Sequence, residues 1–400
     1  MPQSLSEATK SIVRATVPAI AAHGTQITAA MYERLFKNDE VRALFNQSNQ
    51  GGDGRQTRAL AQAILAYAQN IDNLAVLGPA VERIAHKHAS LHILPEHYPH
   101  VANALLGAIK DVLGDAATDD VLNAWGEAYW FLAHILIGRE AELYHALTST
   151  PGGWTGWRAF QVTGKVEESS VITSFVLRPA DGGAVARHKP GQYLTLRVPA
   201  ASGALVQRNY SISSAPNGKS YRISVKREQH GLVSNFLHDH ITVGSALEVG
   251  PPSGDFFVAD TPQRPLVLLS GGVGLTPMVS ILETLAGAAQ TVPIHYVHGA
   301  IDGSKHAMGK LVKALTEASG HLKSTVFYES PRSVDQKGLH YDHEGFITVD
   351  WLKANTPLKE SDVYLCGPRP FLSHFVGQLA AAGVARDQIH YEFFGPADAL

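Results

Sequence analysis

Cysteine is almost absent from this chain, since Cys366 is the only one among 400 residues. A single cysteine excludes an intrachain disulfide framework and is typical of a reducing compartment. An excess of charge of one sign is also missing: the formal net charge is -3, which gives no reason to expect a nucleic-acid partner. No signal-peptide pattern opens the chain, so we expect a cytoplasmic protein.

Long apolar runs are scarce as well. The longest stretch without a charged residue or a histidine is 265–282, which is long enough to raise the question of a membrane span. Its Gly-Gly-Val-Gly core and Thr-Pro pair instead favour a buried strand, a loop and a helix. We therefore expect no transmembrane segment.

The chain is too long for one hydrophobic core, and its residue patterns change twice. Helical periodicity predicts an all-α domain over 1–147, ended by a short Pro-Gly-Gly linker. Period-two alternation predicts an antiparallel β-barrel over 152–258. Apolar strands that alternate with helical segments predict an α/β parallel-sheet nucleotide-binding domain over 259–400.

One histidine of the helical half lies on an apolar helix face. His88 continues the face of Val81 and Ile84, whereas His86 lies about 200° around the helix, beside Glu82. We interpret His88 as a candidate axial ligand to a haem iron and His86 as a solvated side chain. The alternative for His88 is a core histidine with satisfied hydrogen bonds.

Glu140 is the one carboxylate on an otherwise apolar stripe of the last predicted helix in this half. A buried carboxylate needs a partner. The alternative is a carboxylate near a helix end whose side chain reaches solvent.

Three motifs follow the helical half in order. The first and third are Arg208-Asn209-Tyr210-Ser211 and the tail Phe393-Phe394-Gly395-Pro396. Between them, Gly271-Gly272-Val273-Gly274-Leu275-Thr276 follows a predicted strand and precedes a predicted helix. Glycines in that place let the backbone approach a pyrophosphate at a helix N-terminus, and a plain structural turn is the alternative.

Over its whole length the chain resembles a bacterial flavohaemoglobin, a globin fused to a ferredoxin-reductase-like FAD and NAD(P) module. In the helical half the matching stretches are 31–36, 44–46, 84–88, 95–98 and 139–142. The resemblance implies one haem b with His88 as the proximal ligand, and Tyr98 and Glu140 hydrogen-bonded around it. It assigns Phe45 to packing against the haem and three residues to the distal pocket: Tyr32, Gln56 and Leu60. Tyr32 and Gln56 would hydrogen-bond bound O₂, and the alternative for Tyr32 is a core tyrosine with a satisfied hydroxyl.

In the reductase half the resemblance implies one FAD. The implied FAD contacts are Tyr193, Arg208, Asn209, Tyr210 and Ser211, with Asn209 standing where the family commonly has glutamine. Backbone N–H groups of 231–235 are expected to hold the second phosphate. The Gly271–Thr276 loop is expected to bind NADH or NADPH, with the preference left open. In the tail, Phe393, Phe394, Gly395 and Pro396 are expected to contact the flavin, while Lys87 and Glu392 match positions that influence the redox potentials.

The activity implied by the resemblance is nitric oxide dioxygenase, with O₂, nitric oxide and NAD(P)H as small-molecule partners. Two alternatives stay open at this point. One is an oxygen carrier or sensor, and the other is a reductase of lipid hydroperoxides or ferric iron, for which a lipid would enter the distal pocket. We expect a monomer.

Overall fold

The first compact unit is a bundle of helices. The computed structural model describes residues 4–45, 55–199, 205–288 and 292–395. Helix starts follow local signals, since the Ser6 hydroxyl accepts a hydrogen bond from the Thr9 N–H and prolines occupy the first turns of three helices. The helices are α1 (Glu7–Ala15), α2 (Val17–Leu35), α3 (Asp39–Ala43), α4 (Arg55–Gln69), α5 (Gly78–Ser90), α6 (Tyr98–Leu113) and α7 (Asp119–Ser149).

Two apolar clusters form the core of this unit. The larger joins α1, α2, α4, α6 and α7 and contains the buried indole of Trp125. The smaller contains Tyr98 of α6 and Leu136 of α7. Tyr129 and Leu132 of α7 pack against both clusters, so this helix connects the two parts of the core.

An antiparallel sheet begins the second compact unit. Its strands run in the order β4-β3-β6-β1-β2-β5. Just after β4, Ile212 forms an antiparallel bridge with Ile223 of β5, so the two edge strands meet and the sheet closes into a barrel. The elements are β1 (Arg158–Glu167), β2 (Ile172–Pro179), β3 (Tyr193–Pro199), β4 (Leu205–Ser211), β5 (Tyr221–Lys226), α8 (Leu232–His240) and β6 (Ala246–Val249).

A parallel sheet with helical connections completes the chain. Its strand order is β10-β9-β8-β7-β11-β12, so the order reverses between β7 and β11, where open α/β sheets bind ligands. The elements are β7 (Leu266–Gly271), α9 (Leu275–Ala286), β8 (Ile294–Ala300), α10 (Gly309–Ala318), β9 (Leu322–Tyr328), β10 (His343–Glu344), α11 (Val349–Asn355), β11 (Asp362–Cys366), α12 (Arg369–Ala381) and β12 (Ile389–Glu392).

The predicted fold class is confirmed: all-α, then antiparallel barrel, then parallel α/β. The uncharged stretch 265–282 is β7, a short 3₁₀ turn and the start of α9, as its glycines indicated. Over the described ranges, none of the helices combines the length and apolarity that a membrane crossing requires. At the predicted linker, Gly152 has a φ of 75°, and a Cβ there would lie 2.6 Å from the Val185 backbone, so this glycine packs closely against the barrel.

Candidate functional site

A histidine, a carboxylate and a phenol meet in the smaller core cluster of the helical unit. His88 Nδ1 lies 2.7 Å from Glu140 Oε1 and 3.1 Å from the Tyr98 hydroxyl. The Tyr98 hydroxyl donates to the same Glu140 oxygen at 2.6 Å. The three side chains come from α5, α6 and α7, so only the folded bundle brings them together.

Glu140 is buried, with 3% of its side chain exposed, which excludes the alternative of a carboxylate that reaches solvent. Its position inside the bundle explains why the apolar stripe of α7 includes one carboxylate. Burial, followed by the hydrogen bond to Glu140, raises the pKa of Tyr98 far above its usual range. The Tyr98 hydroxyl therefore stays protonated and donates to Glu140.

The other ring nitrogen of His88 is left for a ligand. A carboxylate accepts and does not donate, so Nδ1 carries a proton, and in the neutral imidazole Nε2 is the nitrogen with a free lone pair. Within the described residues, Nε2 makes no hydrogen bond. An imidazole whose N–H is held by a carboxylate is the arrangement that orients a metal-binding histidine, so these residues fit a haem iron.

A second layer of contacts surrounds this trio. The Tyr129 hydroxyl donates to the backbone oxygen of Tyr98 at 2.8 Å. Arg139, next to Glu140 in sequence, makes a bidentate pair with Glu82 of α5 at 2.6 and 2.7 Å. The sequence interpretation did not single out Tyr129 or Arg139 as support for the site, although Arg139 adjoins Glu140 and could have been found from that adjacency.

The interpretation of His86 as a solvated side chain is wrong. Its side chain is 14% exposed, less than the 29% of His88. His86 Nε2 lies 3.2 Å from Glu82 Oε1, the partner expected from the i,i+4 spacing. The two histidines are therefore distinguished by their partners and not by exposure.

The predicted distal residues lie in the larger core cluster. Tyr32 is buried there, and Phe45 and Leu60 pack against the same cluster. The Tyr32 and Phe45 rings meet edge to face, with centroids 5.8 Å apart. Gln56 belongs to α4, but its side chain lies outside the described ones.

The Arg208–Ser211 motif forms the end of β4. Ser211 is buried, while Arg208 and Tyr210 are half-buried along the strand. Desolvation lowers the pKa of Arg208, as expected for a guanidinium drawn into a cleft. Asn209 is held by its neighbour on β3, because its amide oxygen accepts a hydrogen bond from Thr195 Oγ1 at 2.9 Å.

On β3, next to this motif, the ring of Tyr193 packs directly against the backbone of Gly254. Gly254 has a φ of 111°, and a Cβ there would lie 2.9 Å from the Tyr193 ring. Only glycine leaves room for that ring position. In the same unit, α8 begins at Leu232, so its first-turn N–H groups have no partner within the helix and suit a phosphate. These features fit the FAD that the motif predicts.

The glycine loop predicted to bind nucleotide connects β7 to α9. Gly272 has a φ of 54°, which favours glycine. Gly274 packs so closely on the end of β11 that a Cβ would lie 2.1 Å from the Cys366 backbone oxygen. Close packing alone therefore explains why residue 274 is glycine. The argument for a pyrophosphate site rests instead on the N-terminus of α9, which lies where the strand order reverses. The Leu275 and Thr276 side chains are buried in the first turn of α9.

The C-terminal motif is only partly described. Glu392 ends β12, Phe393 packs on the core of the parallel-sheet domain, and 46% of Phe394 is exposed. Gly395 is the last described residue, and Pro396 lies outside the described residues. Lys87 is an exposed residue of α5 in the helical unit, whereas Glu392 belongs to the second unit.

Comparisons with known proteins agree with this architecture. Three family models match: the globin family over residues 18–136, the oxidoreductase FAD-binding domain over 159–258 and the oxidoreductase NAD-binding domain over 268–376. A flavohemoprotein of Xylella fastidiosa (strain 9a5c) is 54% identical over 398 residues, which cover 100% of this chain and 99% of that protein. One of Rhizobium meliloti is 46% identical, with 98% of each chain covered.

Two solved structures extend the comparison. A flavohemoglobin from Malassezia yamatoensis with bound FAD and heme superposes with a TM-score of 0.87 at 28% identity, covering 98% of this chain and 100% of that one. The FAD/NAD-binding domain of a nitric oxide dioxygenase from Vibrio cholerae is 39% identical, with a TM-score of 0.55, over 60% of this chain and 99% of that one. The chain therefore belongs to the flavohaemoprotein family, and it is an oxidoreductase that combines a haem-binding globin with FAD- and NAD-binding domains.

Proposed function

We propose that the protein is a nitric oxide dioxygenase that converts nitric oxide and O₂ to nitrate with electrons from NADH or NADPH. The overall balance is two nitric oxide, two O₂ and one NAD(P)H to two nitrate, one NAD(P)⁺ and one proton. The observation that carries the proposal is the buried Glu140 carboxylate on His88 Nδ1. The matching reductase domain of the Vibrio cholerae nitric oxide dioxygenase gives further support.

The proximal trio is proposed to set the electronic character of the iron ligand. Glu140 accepts a hydrogen bond from the Nδ1–H of His88 and makes the imidazole more electron-donating. Tyr98 donates to the same oxygen and so fixes the carboxylate in place. A strongly donating ligand favours O–O bond activation over reversible oxygen storage, which supports an enzyme rather than a carrier.

On the distal side we assign the polar contact with the substrate to Tyr32 and Gln56. A phenol and an amide can donate hydrogen bonds to an oxygen ligand that carries partial negative charge. Phe45 and Leu60 would complete an apolar wall that limits access by water. Packing of Tyr32, Phe45 and Leu60 in one cluster supports this assignment.

In the reductase half the residues are proposed to bind and orient the two redox cofactors. Arg208 would pair with the flavin pyrophosphate, while Tyr193, Tyr210 and Ser211 would line the ring system. Asn209 would help to hold β3 and β4 together beneath it. The Gly271–Thr276 loop would hold the nicotinamide coenzyme. When bound, the cofactors supply the redox chemistry itself.

The tail and two charged residues have separate proposed roles. Phe394 would cover the flavin face that nicotinamide must reach, with Phe393, Gly395 and Pro396 shaping that turn. The exposed Phe394 side chain supports this role, because an aromatic ring left open on a surface suits stacking on a ligand. Lys87 and Glu392 would influence the redox potentials through their charges.

The distal assignment is tested with Tyr32→Phe in the full chain loaded with haem and FAD. Removal of one hydrogen bond to a charged ligand should slow nitrate formation roughly tenfold or more. Tyr67→Phe is the matched control, since its hydroxyl is already engaged by the Ala128 backbone oxygen at 2.8 Å. Equal rates of nitrate formation in both variants and the unchanged protein would remove Tyr32 from the proposal.

A further inference from the structure

A polar cluster connects the loop after the flavin motif to helix α9. Glu283 of α9 uses both carboxylate oxygens: Oε1 accepts from Arg222 Nη2 and Oε2 accepts from the Ala215 N–H, each at 2.8 Å. Arg222 also donates to the backbone oxygen of Ser213. The Arg222 and Glu283 side chains are only 21% and 17% exposed, so solvent screens this pair weakly.

The same loop has a second connection one helical turn away. The backbone oxygen of Ser214 accepts hydrogen bonds from Ser280 Oγ at 2.8 Å and from His188 Nε2 at 2.9 Å. Because a carbonyl only accepts, Nε2 of His188 carries the proton. Ser280 and His188 are both buried. Three consecutive residues, Ser213, Ser214 and Ala215, are therefore fixed by side chains.

The location of this cluster gives it a consequence for the coenzyme. The fixed residues 213–215 begin two residues after Ser211, which ends both β4 and the flavin motif. Ser280 and Glu283 follow Thr276 by four and seven residues, so all three lie on one face of α9. Thr276 stands in the first turn of α9, where the nucleotide loop ends. The cluster thus connects the flavin motif to the helix that carries the nucleotide loop.

The ion pair and hydrogen bonds of this cluster are better suited to fixing the relative position of the loop and α9 than to stabilising the fold. A partly buried ion pair contributes little net stability compared with apolar packing. Its hydrogen bonds are directional, however, and fix the relative placement of the groups that they join. Hydride transfer requires reacting atoms about 3–3.5 Å apart, and a displacement of about 1 Å can cost about a hundredfold in rate.

We propose that Glu283, together with Arg222 and Ser280, is a positioning group. It would hold the Gly271–Thr276 loop so that the bound nicotinamide lies at hydride-transfer distance from the flavin. In that step the C4–H bond of NAD(P)H breaks, and its hydrogen and two electrons pass to FAD. One proton from water completes reduced FAD, and NAD(P)⁺ is left. This inference rests on the reductase part of the proposed function and not on the nitric oxide chemistry.

The test is anaerobic stopped-flow reduction of flavin by saturating NADH in the full chain loaded with haem and FAD. Glu283→Gln should lower the first-order rate constant roughly tenfold or more, while the apparent Kd for NADH changes less than about threefold. Glu248→Gln is the matched control, because Glu248 also pairs with an arginine, Arg197, through two hydrogen bonds of 2.8 and 2.9 Å, but between two strands of the barrel and not on α9.

A readout without turnover separates positioning from folding. Tetrahydro-NADH cannot transfer hydride, so the long-wavelength charge-transfer absorbance of its complex reports how nicotinamide stacks on oxidised flavin. We expect Glu283→Gln to weaken this band at unchanged FAD content and Tm, and Ser280→Ala to do so more mildly.

Three outcomes are distinguishable. A normal rate constant and band in Glu283→Gln and Ser280→Ala would overturn the inference. So would a loss confined to FAD content or Tm, with a normal rate for each bound flavin, since that is a structural role only. If NADH failed to reduce flavin in the unchanged protein, the proposed function itself would fail.

Discussion

Replacement of Glu140 by glutamine should raise the midpoint potential of the haem. Glutamine keeps the shape of the side chain but removes the negative charge that His88 Nδ1 and the Tyr98 hydroxyl contact at 2.7 and 2.6 Å. A hydrogen bond to a charged group is stronger than a neutral one by about 1–2 kcal/mol. The carboxylate stabilises the more positive ferric state, so its loss favours the ferrous state.

For a one-electron couple, this energy corresponds to a rise of about 40–90 mV. Spectroelectrochemical titration measures this shift when it is followed at a wavelength where the haem absorbs and the flavin does not interfere. The control is Glu127→Gln on the same helix, whose carboxylate is exposed and accepts from Thr9. A shift below about 15 mV, or a fall, in a folded and haem-loaded Glu140→Gln protein would refute the reasoning.

The phenol of the same trio makes a second variant informative, because its expected effect has the opposite sign. In Tyr98→Phe, Glu140 loses one of its two donors and should bind the His88 N–H more strongly. The haem potential should therefore fall, by less than the rise in Glu140→Gln. The same titration measures it, and shifts of equal sign in the two variants would contradict the proposed geometry.

Two further predictions concern the reductase half. Burial lowers the pKa of His188 from 6.5 to about 4. As the pH falls, the unfolded chain therefore binds a proton at a higher pH than the folded chain does, and stability is lost between about pH 6.5 and about pH 4. At pH 5 the free energy of unfolding should be lower by about 2 kcal/mol for this reason. Denaturant unfolding at pH 7 and pH 5 should therefore show a smaller pH dependence in His188→Gln than in the unchanged protein. An equal pH dependence in the two proteins would contradict this. Gly274→Ala places a Cβ against the Cys366 backbone oxygen and should weaken NADH binding roughly tenfold, whereas Gly287→Ala, with open space around its Cβ, should not. Isothermal titration with tetrahydro-NADH compares the two, and equal affinities would remove the steric argument.

The sequence predicted most where a residue conflicted with its local pattern. Glu140 on an apolar stripe indicated a buried partner, and the structure shows a pair of them. Periodicity also placed His88 on an apolar face. Periodicity failed for His86 because the position of a residue on a helix does not show which side chains from other positions cover it. His86 is covered by Glu82, which also pairs with Arg139.

Other features depend on contacts that local patterns do not contain. Strand β4 carries polar and half-exposed residues and β12 has only four residues at a sheet edge, so the local sequence indicates these strands only weakly. The pair of Arg222 and Glu283 joins positions 61 residues apart and exists only once the barrel and α9 have packed. The domain boundaries at 147–152 and 258–259 stay predictions.

Nitric oxide consumption by the purified, haem- and FAD-loaded protein tests the central claim most directly. It is measured with NADH, in the presence and in the absence of O₂, with nitrate as the product. We predict rapid loss of nitric oxide that requires both O₂ and NADH and yields one nitrate for each nitric oxide. Reduction of the haem by NADH without any O₂-dependent loss of nitric oxide would contradict the account.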